Sequence, residues 1–141
     1  MTIYWGDGTS TSTHPTGITT ASGTWTPAPN WGSANSSSGF YKRQGDICFA
    51  WGWAKWMSSG GTGSDAAMRI NGLPYSADGD QACGSLAAQD NDDAGQNLCC
   101  YIANNDNYFY VRKSDTGSWS YLTYHDMGSD NQFYWQLIYR I

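Results

Sequence analysis

The sequence contains no glutamate. All twelve acidic residues are aspartate, set against seven lysines and arginines, for a formal net charge of −5. Charged residues make up only 13% of the chain, against about a quarter in ordinary domains. Glutamate favours helices and glycine disfavours them, so a chain with none of the first and 17 of the second is not expected to build long helices. No basic cluster exceeds Lys42-Arg43 or Arg112-Lys113. The dense cationic footprint that displaces counterions from nucleic acid is missing, and an anionic membrane surface would repel the chain. The longest uncharged apolar stretch, residues 47–54, contains Gly52 and is far short of the roughly 20 residues that span a bilayer. Neither a nucleic-acid partner nor membrane insertion is expected. The N-terminal residues also lack the basic and apolar regions of a secretory signal.

Catalytic signatures are equally scarce. There is no G-x-S-x-G elbow and no phosphate-cradling G-K-[ST], and H-E-x-x-H requires a glutamate the chain does not have. The two histidines are His14 and His125. A triad would have to use His125 with Asp126 or Asp130, but a loop histidine beside aspartates is ordinary in this composition. Paired carboxylates for glycoside hydrolysis need one carboxyl group buried enough to hold its proton. The aspartates here fall mainly in Gly/Asn-rich turns, where solvent keeps them ionised. Asp90-Asn91-Asp92-Asp93-Ala94-Gly95 matches a calcium loop at its first and third positions and at the glycine. It departs where Ala94 and Tyr101 replace ligands, and a solvated loop is the simpler reading. The four cysteines, Cys48, Cys83, Cys99 and Cys100, include an adjacent pair and no C-x-x-C. They read as reduced, small hydrophobic residues of a protein made in a cytoplasm. The expectation is a non-enzymatic protein with no metal and no cofactor.

Aromatic residues and turn chemistry are what the chain has in quantity: eight tryptophans and ten tyrosines, with aromatics at 16%. Residues 1–23 are mostly Thr, Ser and Gly, with one apolar group at Ile3, Tyr4 and Trp5, and read as an extended attachment segment. Residues 24–141 read as the domain. Ile47 to Trp56 alternates bulky Ile, Phe and Trp with small Cys48, Ala50, Gly52 and Ala54. The bulky face is expected to pack the core, and the small-residue face to permit close approach by a second sheet or a neighbouring subunit. Further alternating runs lie at 98–103, 108–113, 119–124 and 133–141, separated by Asn/Asp/Gly/Ser turns. Residues 108–113 and 119–124 are expected to form a hairpin. Short antiparallel strands throughout predict an all-β sandwich or small barrel with negligible helix. Eight tryptophans exceed what one small core readily buries, so some should be exposed. Trp31 and Trp119 are the candidates for stacking on a sugar face or filling a partner pocket.

A series of short motifs runs in order along the domain: Gly23-Thr24-Trp25-Thr26-Pro27, Tyr41-Lys42-Arg43-Gln44-Gly45-Asp46, Ile70-Asn71-Gly72-Leu73-Pro74-Tyr75, Leu122-Thr123, and a final strand ending Tyr139-Arg140. Together they resemble the C-terminal head domain of tailed-bacteriophage tail fibres. Ile3 to Ser10 is similar to an N-terminal segment of fibre proteins from phages of cyanobacteria and marine bacteria.

The resemblance implies an antiparallel, jelly-roll-like β-sandwich that assembles as a homotrimer at a fibre tip. Its implied role is adhesion to a host surface glycan or protein, and its implied location the tail fibre of the virion. Trp31, Trp119 and Tyr121 are the expected receptor contacts. Cys48, Ala50, Gly52 and Ala54 are the expected subunit contact, and Ile3, Tyr4 and Trp5 the attachment to another fibre or tail protein. The short leader implies a small virion protein carried by a larger fibre protein, or a fragment. The alternative is a structural virion protein, a head decoration or neck/tail accessory fibre, whose aromatics bind other virion proteins.

Overall fold

The computed structural model describes residues 3–4, 10–11, 18–30, 32, 34–56, 66–79, 81–89, 97–115, 117–126 and 131–141. Two short strands, β1 (Ile3–Tyr4) and β2 (Ser10–Thr11), pair only with each other, so the expected extended leader contains a small antiparallel ribbon. The remaining strands are β3 (Thr20–Trp25), β4 (Ala28–Pro29), β5 (Ala34–Gln44), β6 (Ile47–Trp56) and β7 (Arg69–Asn71), then β8 (Ala82–Gln89), β9 (Asn97–Ile102), β10 (Tyr108–Asp115), β11 (Ser118–Tyr121) and β12 (Gln132–Arg140). The one helical element among the described residues is a single 3-10 turn at Tyr124–Asp126. β3 starts at Thr20, so residues 20–23 already pair with β5 at one end of the sheet.

All pairings are antiparallel, as the alternation predicts. The large sheet runs β3-β5-β6-β12-β8-β9-β10-β7-β4, with β11 on the same edge of β10 as β7. β3 leads into β4 through Thr26 and Pro27 alone, so the two ends of this path are neighbours in sequence and the sheet curls on itself. Phe109 on β10 meets Trp135 on β12 with ring centroids 5.4 Å apart, although β8 and β9 separate their strands within the sheet. Two halves of one sheet thus face each other across a core.

The core is filled by large residues from one strand set opposite small residues from the next. β12 points Phe133, Trp135, Leu137 and Tyr139 inward. Directly across on β6 stand Ala54, Gly52, Ala50 and Cys48, in that order. The pattern repeats on the other flank of β6, where Gly39 of β5 pairs with Gly52 and Trp25 of β3 pairs with Gly39. A Cβ on Gly39 would come within about 2.4 Å of the Trp25 indole, and one on Gly52 within 2.5 Å of the Ser38 carbonyl oxygen. Both glycines therefore clear the floor on which two indoles lie.

This register corrects the expected subunit contact. Cys48, Ala50 and Ala54 have no exposed surface and line the chain's own core, and Gly52 lies beneath Trp135. The small face of β6 points inward because β12 and β3 supply the bulk, and the bulky face of β6 points out.

Two polar clasps hold the corners. Asn30 accepts hydrogen bonds at Oδ1 from the Arg69 backbone amide (3.0 Å) and the Tyr124 hydroxyl (2.6 Å), and donates from Nδ2 to the Ala67 carbonyl (3.3 Å). Asp126 Oδ2 accepts from the Thr123 amide (2.8 Å) and hydroxyl (2.9 Å) and lies 3.0 Å from Lys113 Nζ. Burial alone would raise the Asp126 carboxyl. The Thr123 bonds and Lys113 outweigh it and hold the pKa below the ordinary aspartate value.

Candidate functional site: an arginine–aromatic ladder

β10 carries Tyr108, Tyr110 and Arg112 at alternate positions, so all three share its outer face. The ladder registers bring partners beside them: Tyr110 opposes Tyr101 of β9 and Arg69 of β7, and Arg112 opposes Tyr121 of β11. Trp119 lies two residues from Tyr121 on the same face of β11.

The Arg112 guanidinium carbon sits 3.3 Å from the centroid of Tyr101 and 3.3 Å from that of Trp119. The two rings are 6.5 Å apart and tilted by 35°, so the guanidinium fills the slot between them. Its Nη2 donates to the Tyr121 hydroxyl at 3.3 Å. From there the contacts continue along the face. Tyr121 meets Tyr110 at 4.7 Å, Tyr110 meets Tyr108 edge-on at 5.4 Å, and the Arg69 guanidinium lies 4.6 Å from the Tyr108 centroid. Hydrogen bonding to Tyr110, with burial and a contact from Asp106, pushes the Tyr108 hydroxyl up to about 12.

The stack sorts its members by exposure. Tyr101 is the covered base, 7% exposed, whereas Trp119 on the far side of Arg112 is 58% exposed, the largest value among the exposed large hydrophobic side chains described. A guanidinium pinned between rings holds Trp119 in one orientation before any ligand arrives, which lowers the ordering cost of stacking on it.

Trp119 and Tyr121, expected as receptor contacts, are thus placed side by side, with centroids 6.3 Å apart. Trp31 and Trp5 lie outside the described residues, as does the acidic run from Asp90 to Gly95. Ile3 and Tyr4 are placed as backbone in β1 only. Arg112, Arg69, Tyr101, Tyr108 and Tyr110 were not singled out from sequence. The Tyr-x-Tyr-x-Arg alternation at 108–112 was the available signal, since it puts three stackable side chains on one strand face. Asp126, considered as a partner for His125, is engaged by Thr123 and Lys113.

A second surface lies on the outer face of β5, β6 and β12. Phe40, Ile47, Trp51, Tyr134 and Ile138 are five of the eight exposed large hydrophobic residues described. They sit in adjoining registers: Phe40 opposes Trp51 and stacks on it at 6.0 Å, while Tyr134 opposes half-buried Trp53 and Ile138 opposes half-buried Phe49. Of the charges on this face, Lys55 and Arg140 lie at its ends, while Lys42 opposes Phe49 and Gln136 opposes Trp51 within it.

No protein-family profile matches this sequence. A search of curated proteins also finds no match. Among solved structures, the crystal structure of Dettilon tailspike protein (gp208) is similar, with a TM-score of 0.70 over 86% of this chain at 18% sequence identity. The chain spans about a quarter of that protein's length, the matched share being 24%. The curled antiparallel sheet is therefore a fold that a tailspike contains.

Proposed function

We propose that this chain is a phage tail-associated adhesion protein, non-enzymatic, which binds a host surface glycan through the arginine–aromatic ladder. The observation that carries the reading is Trp119, an exposed indole fixed on a preorganised Arg112–Tyr101 stack with Tyr121 at its side. Sugar rings present C–H faces that pack on such indoles, and rigid aromatic platforms bind them with little ordering cost. The shared fold with a tailspike supports a tail location in the virion.

The chain acts as a homotrimer in this reading, and the apolar outer face of β5, β6 and β12 replaces the small-residue face as the subunit contact. Five partly exposed large side chains amount to about 400 Å² of apolar surface, the size of the largest patch on a typical monomer, which is often functional. That is the apolar share of an ordinary interface of about 800 Å² per partner. Association multiplies weak ladder contacts, so avidity does not require each to be strong. β1 and the residues around it would join the head to a larger fibre or tail protein.

The rival, a structural virion protein with no receptor, draws on the same apolar face, which suits protein partners. Binding of the purified chain to extracted bacterial surface polysaccharides separates the two. Trp119→Ala is expected to lower that binding about tenfold or more while leaving the fold and the oligomeric state unchanged. Binding unaffected by Trp119→Ala, or no binding at all, would leave the structural role.

A further inference from the structure

We infer that the saccharide taken by the ladder is anionic, its acidic group recognised by Arg112 and Arg69. The inference rests on the adhesive reading above and adds the chemical class of the ligand.

The chain has only seven cationic side chains and a net charge of −5, yet two arginines stand on this one outer face. Lys113 and Arg140 are each matched by a carboxylate, Asp126 at 3.0 Å and Asp78 at 3.6 Å. Among the described residues neither Arg69 nor Arg112 has an ion-pair partner. The Nε atoms of both are buried and make no hydrogen bond, covered as the guanidinium planes lie against rings. Asp106 is engaged with the Tyr108 hydroxyl.

A ring face attracts a cation through its quadrupole and carries no net charge, so stacking fixes a guanidinium without neutralising it. At the distance of a bound sugar the face therefore still presents whole positive charges. Arg112 also keeps its Nη2 edge at the exposed side, beside Tyr121 and Trp119. A planar fork already held in place loses little freedom on meeting a carboxylate or phosphate, and such bonds are charge-assisted. A neutral sugar would need only Trp119 and the tyrosine hydroxyls, and would leave both charges unmatched. Uronate carboxyls and sugar phosphates supply the same chemistry.

The test uses the intact chain and surface polysaccharides extracted from a panel of bacteria. Each is assayed native, after carbodiimide–borohydride reduction of its carboxyl groups, and after dephosphorylation with hydrofluoric acid. Binding to a native polysaccharide is expected to fall at least tenfold after one of the two treatments, which names the acidic group, and to weaken steeply between 50 and 500 mM salt. Arg69→Gln should bind the native polymer about as weakly as the unaltered chain binds the treated one. Arg112→Gln should do the same, with Arg112→Lys recovering the salt dependence; Arg69→Gln carries the test if the 112 variants disturb the stack. Binding that survives both treatments, or is untouched by Arg69→Gln, overturns the anionic assignment and leaves the adhesive reading standing. Absence of binding to every native polymer overturns both.

Discussion

Trp25 and Trp135 meet across two glycines: their rings are 6.0 Å apart at 50°, above a row in which Gly39 and Gly52 lie between their strands. Trp25 Nε1 reaches the Phe40 carbonyl at 3.4 Å, and Phe109 closes on Trp135 from the opposite half of the sheet. The row sets the spacing of the core, because a side chain at either glycine displaces an indole or the neighbouring strand.

Gly52→Ala is accordingly expected to destabilise the fold by about 2–3 kcal/mol, since its Cβ meets the Ser38 carbonyl oxygen, which is backbone and cannot swing away. Gly39→Ala should cost a similar amount through Trp25. Urea unfolding followed by tryptophan fluorescence measures both, and wild-type midpoints would show that the strands part freely here.

The sequence shows how this arrangement is only half legible. Alternation in residues 133–139 and 47–54 reveals two faces per strand correctly. It does not say which face is inside, because the answer depends on the volume supplied by a strand distant in sequence. Beside β12, with four large inward residues, β6 must turn its small ones in; read alone, β6 suggests the opposite. The hairpin of β10 and β11 was legible from its Gly-containing loop. Arg112 was not, since it reads as half of a basic pair with Lys113. In the fold those neighbours part, Arg112 to the outer stack and Lys113 to Asp126.

Asp126 ties stability to pH. Its folded pKa is depressed, so its contribution is present above the unfolded aspartate value and is lost as pH falls through the folded one. The chain should therefore lose stability on its acid side below about pH 4. Asp126→Asn should remove about 1–2 kcal/mol at neutral pH and flatten that acid limb. Urea midpoints at a series of pH values check it; parallel curves for the two proteins would assign the acid loss to other carboxylates.

Trp51→Glu should lower the native mass of the assembly while leaving the thermal melt of the separated chain nearly unchanged. Trp51 is 43% exposed and outside the core, and placing a charge opposite its copy in a partner disfavours association. Light scattering decides, and an unaltered mass would move the subunit contact elsewhere.

The cysteines should label in a set order. Cys83 is exposed and reacts first. Cys99 follows, because burial and the neighbouring Cys83 raise its pKa while Arg112 opposes them. Cys48 and Cys100 are buried, and burial raises both, Cys100 strongly, so they should label only on unfolding. Peptide mass mapping after timed alkylation reads the order; early labelling of Cys100 would contradict the packing of β9.

β12 follows every other strand in the chain and yet lies in the middle of the sheet, between β6 and β8. Without it, β3, β5 and β6 form one group of paired strands and β7 to β11 another, joined among the described strands only by the two-residue β4 on β7. Each group then has a long raw edge, on β6 and on β8, open to pairing with another chain. Maturation thus waits on the slowest kind of contact, one made between segments far apart in sequence. A chain interrupted before Gln132 keeps both of these edges open, on β6 and on β8, where the missing strand would have closed them.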